Sequence, residues 1–389
     1  MHHVIVGGGV AGTTAAEELR KLDANADITV VSEEEHPLYS RVLLPHYVKG
    51  KVPRERVFLK KETWYQEQNI EWLRGMRVES LDVRNKHVVL SDGRELPYDK
   101  LLIVTGGDVR TIPGDSGEQV SYFRTLDDAD HLHWLFDRSQ EGDTAAVYGG
   151  GFIACEYINM FAHFHRPLSV GLRGPWFWSR VFDEQTGELV NEWMRTHGVN
   201  VVTNIGFDEF STPPLHHSTT PTILGIGVGI TPDFSWIKEA GIETNIGVRA
   251  DEFLRTNIPD IFTAGDIAEF YDPIVKRHIN VGNWMSAMTH GRVVAKNMLG
   301  EAVPVKLVSS YATNVLGLEM IFVGDVDRGA ADEVLVKGSK LAGGITQLFV
   351  RGGVVVGATI VGRNADRAVV TKAIESGRLA SEVAVELSS

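Results

Sequence analysis

Cysteine is almost absent from this chain of 389 residues, with Cys155 as its single representative. One cysteine excludes an intramolecular disulfide, a redox-active cysteine pair and a cysteine-ligated iron–sulfur cluster within the chain. No apolar run approaches membrane-spanning length, and the first residues enter a strand without a signal-peptide pattern. We therefore predict a cytoplasmic protein with no membrane span.

Basic residues are fewer than acidic ones, 38 against 51, so the chain carries a net charge of −13. This excess of acid argues against nucleic acid as a partner. A local basic stretch between Lys49 and Lys61 is either a solvated surface or a docking patch. The histidines lack the spacing of a ligand set, so we predict no metal site. Their close pairs are His131 and His133, His163 and His165, and His216 and His217.

Glycine, in contrast, is abundant and forms two G-x-G-x-x-G/A fingerprints, one at residues 7–12 and one at residues 149–154. Each follows a short apolar run and precedes a helix-like stretch. One such turn would be weak evidence, but two strand–turn–helix contexts indicate two dinucleotide sites in one chain.

The first fingerprint has the residues that a pyrophosphate requires. Gly7 permits a sharp turn, Gly9 a close backbone approach, and Gly12 tight packing of helix on strand. The helix N-terminus then offers free N–H groups to the anion. The turn comprises Gly7, Gly9, Val10, Ala11 and Gly12. Glu33 ends the next strand, where a carboxylate accepts hydrogen bonds from a ribose; the alternative is a glycine turn that binds nothing.

The second fingerprint departs from the pattern at two places. Ala154 replaces the third glycine, and the following strand ends in Leu172-Arg173 where an NAD site usually has an acid. Arg173 either neutralises a 2′-phosphate or is an ordinary surface arginine, so NADH and NADPH both stay open. The turn residues are Gly149, Gly151, Phe152, Ile153 and Ala154.

The chain order predicts an α/β fold with two Rossmann-like dinucleotide-binding modules, the second inserted in the first, and a small C-terminal α+β domain. The first module covers residues 1–116 and 230–300, the second residues 117–229, and the last domain residues 301–389. Strands of the first module end at Thr105-Gly106 and Gly265-Asp266, and the second module closes at Gly227.

These motifs together resemble the FAD-dependent pyridine nucleotide-disulfide oxidoreductase family. The similarity is to the branch of ferredoxin and rubredoxin reductases and the flavin domain of nitrite reductase, without a redox-active cysteine pair. It covers nearly the whole chain. The motifs that carry it are residues 7–12 with Glu33, 39–41, 105–106, 124–129, 149–156, 225–227, 254–256, 263–266 and 283–284.

The resemblance implies where FAD lies along the first module, the FAD-binding domain. Arg41, Arg124 and Asp266 would contact the phosphates or the ribityl chain. Trp284 would lie beside the flavin ring, and the backbone of Val78 would meet the adenine. Surface ion pairing of the two arginines and core packing of Trp284 are the alternatives.

The resemblance also implies a catalytic pair in the second module, the NAD(P)-binding domain. In relatives Glu156 lies near the reactive flavin edge and pairs with a lysine, and His46 is predicted to occupy that lysine's position. A histidine titrates nearer neutral pH than a lysine. We therefore predict a pH-sensitive reduction of the flavin.

The predicted function is an FAD-containing oxidoreductase that takes a hydride from NADH or NADPH and passes electrons to a small rubredoxin- or ferredoxin-like protein. An NAD(P)H oxidase, a reductase-complex subunit and a flavin-binding subunit with a decayed nicotinamide site are the alternatives. A homodimer or a complex subunit is compatible with the sequence, which names neither the acceptor nor the oligomeric state.

Overall fold

The computed structural model describes residues 1–115, 117–140, 142–211 and 222–387. They form two compact units, each assembled from separated segments of the chain. The first unit contains Met1–Ser40, Arg54–Asp108 and Thr231–Ser309. The second unit contains Arg41–Pro53, Val109–Ile230 and Ser310–Ser389. The segment from Ser310 onward thus groups with Val109–Ile230, and the division into three domains stays a prediction.

The strands are short, with two to eight residues each. They are β1 (His2–Val6), β2 (Asp27–Ser32), β3 (Glu71–Arg74), β4 (Val78–Asp82), β5 (His87–Leu90), β6 (Glu95–Pro97), β7 (Lys100–Ile103), β8 (Asp108–Val109), β9 (Val120–Ser121), β10 (Ala145–Tyr148), β11 (Leu168–Leu172), β12 (Asn200–Thr203), β13 (Ile223–Ile226), β14 (Ile230–Thr231), β15 (Val248–Ala250), β16 (Ile261–Thr263), β17 (Ala268–Asp272), β18 (Arg277–Asn280), β19 (Ser310–Val315), β20 (Leu318–Gly324), β21 (Glu333–Ser339), β22 (Gly344–Arg351) and β23 (Val354–Val361).

The helices connect these strands. They are α1 (Val10–Leu22), α2 (Leu44–Val48), α3 (Glu62–Glu67), α4 (Leu126–Arg138), α5 (Phe152–His163), α6 (Glu184–Thr196), α7 (Phe207–Ser211), α8 (Ser235–Glu239), α9 (Trp284–Met298), α10 (Asp366–Ser376) and α11 (Ala380–Glu386). Short 3₁₀ turns occur at Arg41–Leu43, Arg54–Val57, Gly265–Ile267 and Arg328–Ala330.

The first unit is built on a parallel sheet with the strand order β16-β7-β1-β2-β3. Its central strand β1 is buried from His3 to Val6, since parallel sheets of this kind are covered on both faces. Helix α1 packs against α9, and small residues allow a close approach. A Cβ on Gly291 would lie 2.5 Å from the carbonyl oxygen of Ala11. The sheet thereby brings the start of α1 to the carboxyl ends of β1 and β7.

The second unit contains two sheets. The parallel sheet has the order β12-β11-β10-β13-β9, and its strand β10 is buried at every residue. The other sheet is antiparallel, in the order β19-β20-β23-β22-β21, and α10 packs on β20 and β23. Helix α5 contacts β10, β11 and β13 of the first sheet and β19 of the second. The helix that follows the second glycine turn therefore links both sheets of this unit.

Candidate dinucleotide-binding sites

The first glycine turn has the backbone geometry that its sequence predicts. Gly7 follows β1 with φ +128°, a region that favours glycine, and a Cβ there would lie 2.3 Å from the carbonyl oxygen of Val104. A Cβ on Gly12 would lie 2.0 Å from the carbonyl oxygen of Gly7. The turn and the first turn of α1 therefore pack backbone against backbone, which no larger residue would permit.

Gly9 faces open space at the start of this helix. It is the N-cap of α1, no side chain among the described residues caps the helix, and no described atom lies within 4 Å of the Cβ position of Gly9. The N–H groups of Val10 and Ala11 belong to the uncapped first turn, whose partial positive charge favours an anion. This cradle fits the pyrophosphate of a dinucleotide.

Glu33 and Val78 lie at the same edge of the first unit. The Glu33 carboxylate is exposed and pairs with the Arg77 guanidinium at 2.9 Å, and Arg77 also lies 3.6 Å from Asp233. The Val78 side chain is buried in the core that contains Leu81. Arg77 thus ties the acid after β2 to the strand that starts at Val78.

One further segment approaches the start of α1. Gly265, with φ +72°, brings its Cβ position to 3.0 Å from the Cβ of Ala11, and its N–H donates to Nδ1 of His290 at 3.3 Å. The backbone oxygen of Asp266 accepts a hydrogen bond from Asn280 at 2.8 Å. This arrangement brings the strand end at Gly265 beside the first glycine turn.

The remaining predicted residues of the first unit lie on strand and helix ends. Thr105 is exposed after β7, and Gly106 follows with φ +70°. Trp284 is partly buried as the first residue of α9, a helix capped by the Asn283 side chain, which accepts from the N–H of Ser286 at 2.9 Å. Their contacts with a cofactor stay predictions.

The second glycine turn repeats the geometry of the first. Gly149 has φ +134°, and its Cβ position lies 2.2 Å from the carbonyl oxygen of Gly227. A Cβ on Gly227 would lie 2.9 Å from the backbone nitrogen of Ala154. Gly227 therefore packs directly on the fingerprint, and Ala154 is buried at the position of the third glycine.

The helix after this turn also begins without a side-chain cap among the described residues. Gly151 is the N-cap of α5, followed by Phe152 and Ile153. Leu172 is 2% exposed and belongs to the core, whereas Arg173 is exposed. Because the Leu172 side chain points inward, Arg173 is the side chain at this strand end that can meet a nucleotide.

Arg41 and Arg124 lie together in the second unit, since the Arg41 guanidinium donates to the carbonyl oxygen of Arg124. The segment is held by a capping box at the start of α4. The Thr125 hydroxyl accepts from the N–H of Asp128 at 3.1 Å, and the Asp128 carboxylate accepts from the N–H of Thr125 at 2.7 Å. It also accepts from the N–H of Arg124 at 2.9 Å.

The electrostatic surroundings of Glu156, which is predicted to pair with His46, include Lys49. Burial raises the pKa of Glu156 above its usual range, and the positive charge of Lys49 opposes this increase. Burial lowers the pKa of Lys49, and Glu156 opposes that decrease. His46 is exposed, and burial together with Lys49 and Lys51 lowers its pKa. The pairing of His46 with Glu156 stays a prediction, and Lys49 is a second basic candidate in the same stretch.

The sequence pattern pointed to His46 as the residue at the lysine position of relatives and did not single out Lys49. The signal was present in the basic stretch, one helical turn further along. Cys155, adjacent to Glu156, is buried, and burial raises the pKa of its thiol. A buried thiol of this kind is inert.

The described ranges contain no group of three or more histidine, cysteine or acidic side chains that could hold a metal ion. His216 and His217 lie outside the described residues. Among the described ranges, no helix combines the length and the apolar character that a membrane crossing requires.

Two parallel-sheet modules, each with a glycine turn followed by a helix without a side-chain cap among the described residues, define a protein of the class that binds two dinucleotides. The family model of the pyridine nucleotide-disulphide oxidoreductases matches residues 1–291. The chain belongs to this family.

Relatives at 27–29% identity include reductases of three kinds. The NAD(P)H nitrite reductase of Bacillus subtilis is 28% identical over 376 residues, which is 93% of this chain but only 46% of that protein. A ferredoxin–NAD(+) reductase component of the p-cumate 2,3-dioxygenase system of Pseudomonas putida is 29% identical, covering 84% of this chain and 82% of the relative. The NADH-rubredoxin oxidoreductase of Clostridium acetobutylicum is 27% identical, covering 85% of this chain and 83% of that relative.

Solved structures share the fold of this chain. A putidaredoxin reductase–putidaredoxin complex matches with a TM-score of 0.87 at 23% identity, over 98% of this chain and 95% of that one. The NADH:rubredoxin oxidoreductase of C. acetobutylicum matches with a TM-score of 0.82 at 24% identity, over 97% and 96%.

These comparisons confirm the predicted family, the α/β fold with two dinucleotide-binding modules, and the class of NAD(P)H oxidoreductase. FAD and NADH or NADPH are the cofactors of this family, as predicted. The open turn at Gly9 and the exposed acid Glu33 fit FAD.

Proposed function

We propose that this protein takes a hydride from NADH or NADPH onto FAD and passes electrons to a small rubredoxin- or ferredoxin-like protein. The two glycine turns, one in each unit, are the observation that carries this proposal. Relatives named as ferredoxin and rubredoxin reductases support it, and this chain matches them over more than four-fifths of their length. FAD, when bound, accepts two electrons together and can release them singly.

The first unit binds FAD through its backbone in this proposal. The uncapped N–H groups after Gly9 receive the pyrophosphate, and Glu33 accepts hydrogen bonds from the adenosine ribose. Arg77 holds the Glu33 carboxylate in place by its ion pair at 2.9 Å. Thr105, Gly106, Asp266 and Trp284 are proposed to complete this site, with the backbone of Val78 toward the adenine.

The second unit binds the pyridine nucleotide at the turn of Gly149 and Gly151. The Arg41 guanidinium donates to the carbonyl oxygen of Arg124. Both arginines are proposed to contact cofactor phosphate groups. Glu156, which is partly buried, and Lys49 act on each other electrostatically, and each moves the pKa of the other back toward its usual value, so their protonation states respond to the charge around them.

The experiment that tests the function is an anaerobic titration of the purified flavoprotein with NADH and, separately, NADPH, followed by flavin absorbance. Bleaching by one nucleotide, and faster electron transfer to rubredoxin or ferredoxin than to oxygen, would support the proposal. No bleaching by either nucleotide would contradict it and favour a flavin-binding subunit.

Arg173 tests the choice between the two nucleotides. If it binds a 2′-phosphate, Arg173→Ala should lower the affinity for NADPH by about tenfold and leave the affinity for NADH unchanged, because a charge-assisted hydrogen bond to phosphate is lost. Titration of the oxidised protein with NADP⁺ and NAD⁺ measures both. Arg180→Ala, at an exposed arginine of the same segment, is the matched control; equal losses in both variants would contradict the role of Arg173.

Lys49 tests the charged pair. Lys49→Met removes the cation that opposes the upward effect of burial, so the pKa of Glu156 should rise further and its carboxyl should stay protonated at higher pH. We expect flavin reduction to slow on the order of tenfold at neutral pH, with the acid limb of its pH profile moved upward. Lys51→Met is the control at an exposed lysine. An unchanged profile in Lys49→Met would argue against the pair.

A second candidate is the flavin part of a larger reductase. The observation that favours it is the nitrite reductase of B. subtilis, in which a region matching 93% of this chain makes up 46% of the protein. Co-purification of this chain in a stable complex with a second redox protein would favour this role over a free reductase. We also propose a cytoplasmic location, which the single cysteine supports.

A further inference from the structure

An aromatic segment lies against the second glycine turn. Trp176, Phe177 and Trp178 follow β11 and Arg173 in the chain. The backbone N–H of Trp178 donates to the carbonyl oxygen of Gly150, the middle glycine of the turn, at 3.0 Å. Its indole nitrogen Nε1 lies 4.0 Å from the Cβ position of Gly151. A polar side-chain atom therefore stands at the edge of this turn.

The first glycine turn has no such group. Gly9 is the counterpart of Gly151, since each is the second glycine of its fingerprint and the N-cap of the following helix. No described atom lies within 4 Å of the Cβ position of Gly9. The second glycine is the point where the backbone approaches a pyrophosphate most closely. The indole nitrogen thus adds something to the second site that the first site lacks.

The position of the indole is fixed by its neighbours. Its ring lies 4.8 Å from that of Phe152, 4.9 Å from that of Phe322 and 5.7 Å from that of Phe182, measured between centroids. Trp178 also has φ +52°, a left-handed conformation that is unfavourable for a bulky residue. Such backbone strain persists where the surrounding structure holds it, and it concentrates at functional sites.

The indole N–H of Trp178 is available to a ligand. Trp176 donates its indole N–H to the carbonyl oxygen of Phe182 at 3.1 Å, and Trp193 donates to that of Leu316 at 3.2 Å. Trp178 has no side-chain hydrogen bond to any other described residue. An indole nitrogen can only donate, so an anion or another acceptor is the partner it suits.

We infer that Trp178 is a positioning residue whose indole N–H donates a hydrogen bond to the pyrophosphate of the bound pyridine nucleotide. The inference rests on the proposed function, because it assigns a residue to its nucleotide site. The aromatic cluster holds the donor rigidly beside Gly151, so little conformational entropy is lost when the bond forms. This hydrogen bond then supplies part of the nucleotide affinity that an acid at the position of Leu172 would provide.

The test is Trp178→Phe in the oxidised, FAD-loaded full-length protein. Phenylalanine keeps an aromatic ring in the cluster and removes the donor. We expect the dissociation constants for NAD⁺ and NADP⁺, measured by calorimetric titration, to rise about tenfold, as for a lost hydrogen bond to a charged group. Binding of adenosine, which lacks the pyrophosphate, should be unchanged. Trp176→Phe, whose indole bond is internal, is the matched control and should retain the native selectivity for nucleotides over adenosine.

Three results would overturn the inference. Native affinity in Trp178→Phe would show that the N–H is not used, and tighter binding would show that the indole shields the turn. Equal weakening of nucleotides and adenosine would indicate loss of packing alone. If the unsubstituted protein binds neither NAD⁺ nor NADP⁺, the proposed function itself fails, which separates the two failures.

A measurement on the unsubstituted protein does not depend on the folding of a variant. The ¹⁵N-labelled indole resonance of Trp178 should move on addition of NAD⁺ or inorganic pyrophosphate and stay in place with adenosine. Trp134, partly exposed on α4, provides an internal reference. A Trp178 resonance that ignores NAD⁺ and pyrophosphate would contradict the inference.

Discussion

Gly9→Ala is expected to leave the apoprotein as stable as the original while weakening its affinity for FAD by about tenfold to a hundredfold. The backbone of Gly9 has φ −72° and ψ −171°, which alanine adopts readily, and its Cβ position meets no described atom within 4 Å. A methyl group there has space in the absence of ligand but would project into the proposed pyrophosphate position. Overpacking of this kind costs roughly 1–3 kcal/mol.

Gly12→Ala, in contrast, should destabilise the apoprotein itself. Its Cβ would lie 2.0 Å from the carbonyl oxygen of Gly7 and 3.1 Å from the side chains of Ile5 and Val104. The added methyl therefore displaces the turn itself, and we expect the apoprotein to lose roughly 1–3 kcal/mol of stability together with its FAD affinity.

The two variants are compared by urea unfolding of the apoprotein and by titration with FAD. Gly206→Ala is the matched control, because its Cβ position is also free of described atoms within 4 Å and lies in the other unit. Full FAD affinity in Gly9→Ala would rule out the first turn as the pyrophosphate site, whatever the behaviour of Gly12→Ala.

The second large effect is a loss of stability in acid, carried by two buried histidines of the first unit. Burial lowers the pKa of His290 from 6.5 to about 4. Burial, with a smaller effect of the N-terminal amine, lowers that of His3 from 6.5 to about 4. Both ring nitrogens of His3 lack a hydrogen-bond partner among the described residues.

Stability falls in acid because the unfolded chain binds more protons than the folded chain. Below pH 6.5 the unfolded chain protonates these histidines, while the folded chain keeps them neutral until about pH 4. The unfolded state therefore binds more protons, and stability falls as pH decreases across this window. Each histidine should remove about 3 kcal/mol in total between neutral pH and pH 4. Together they approach the whole stability of an ordinary domain.

His3→Leu isolates one of these contributions. It removes the unpartnered ring nitrogens, so we expect about 1 kcal/mol of added stability at pH 7 and a larger gain at pH 5. Urea unfolding from pH 7 to pH 4.5 measures the slope of stability against pH. His133→Gln, at a partly exposed histidine on α4, serves as the control. The same slope in His3→Leu and the original protein would refute the assignment.

Much of the site could be predicted from sequence because glycine turns are local. The spacing of Gly7, Gly9 and Gly12 is set by the backbone of one strand, one turn and one helix. The chemistry at Gly149 and Gly151 follows from the same local rule, and the strand end at Arg173 follows from counting along the next apolar run. The corresponding elements lie where these patterns indicate.

Lys49 and Trp178 could not be recognised in this way, because their partners are distant in sequence. Lys49 lies just after α2 and interacts with Glu156 of α5, more than a hundred residues later. Trp178 is held by Phe322 from another sheet. In the sequence, the first is one lysine in a basic stretch, and the second is one aromatic residue among three.

The family, the two dinucleotide modules and the glycines of both turns follow from the amino-acid order alone, since these depend on short-range backbone geometry. The packing of remote segments was needed to show that Lys49 acts electrostatically on Glu156, that Leu172 is buried while Arg173 is exposed, and that an indole nitrogen lies beside Gly151. Burial and the distances between charges depend on how remote segments pack. They therefore decide the pKa of a side chain and whether a hydrogen-bond donor has a partner.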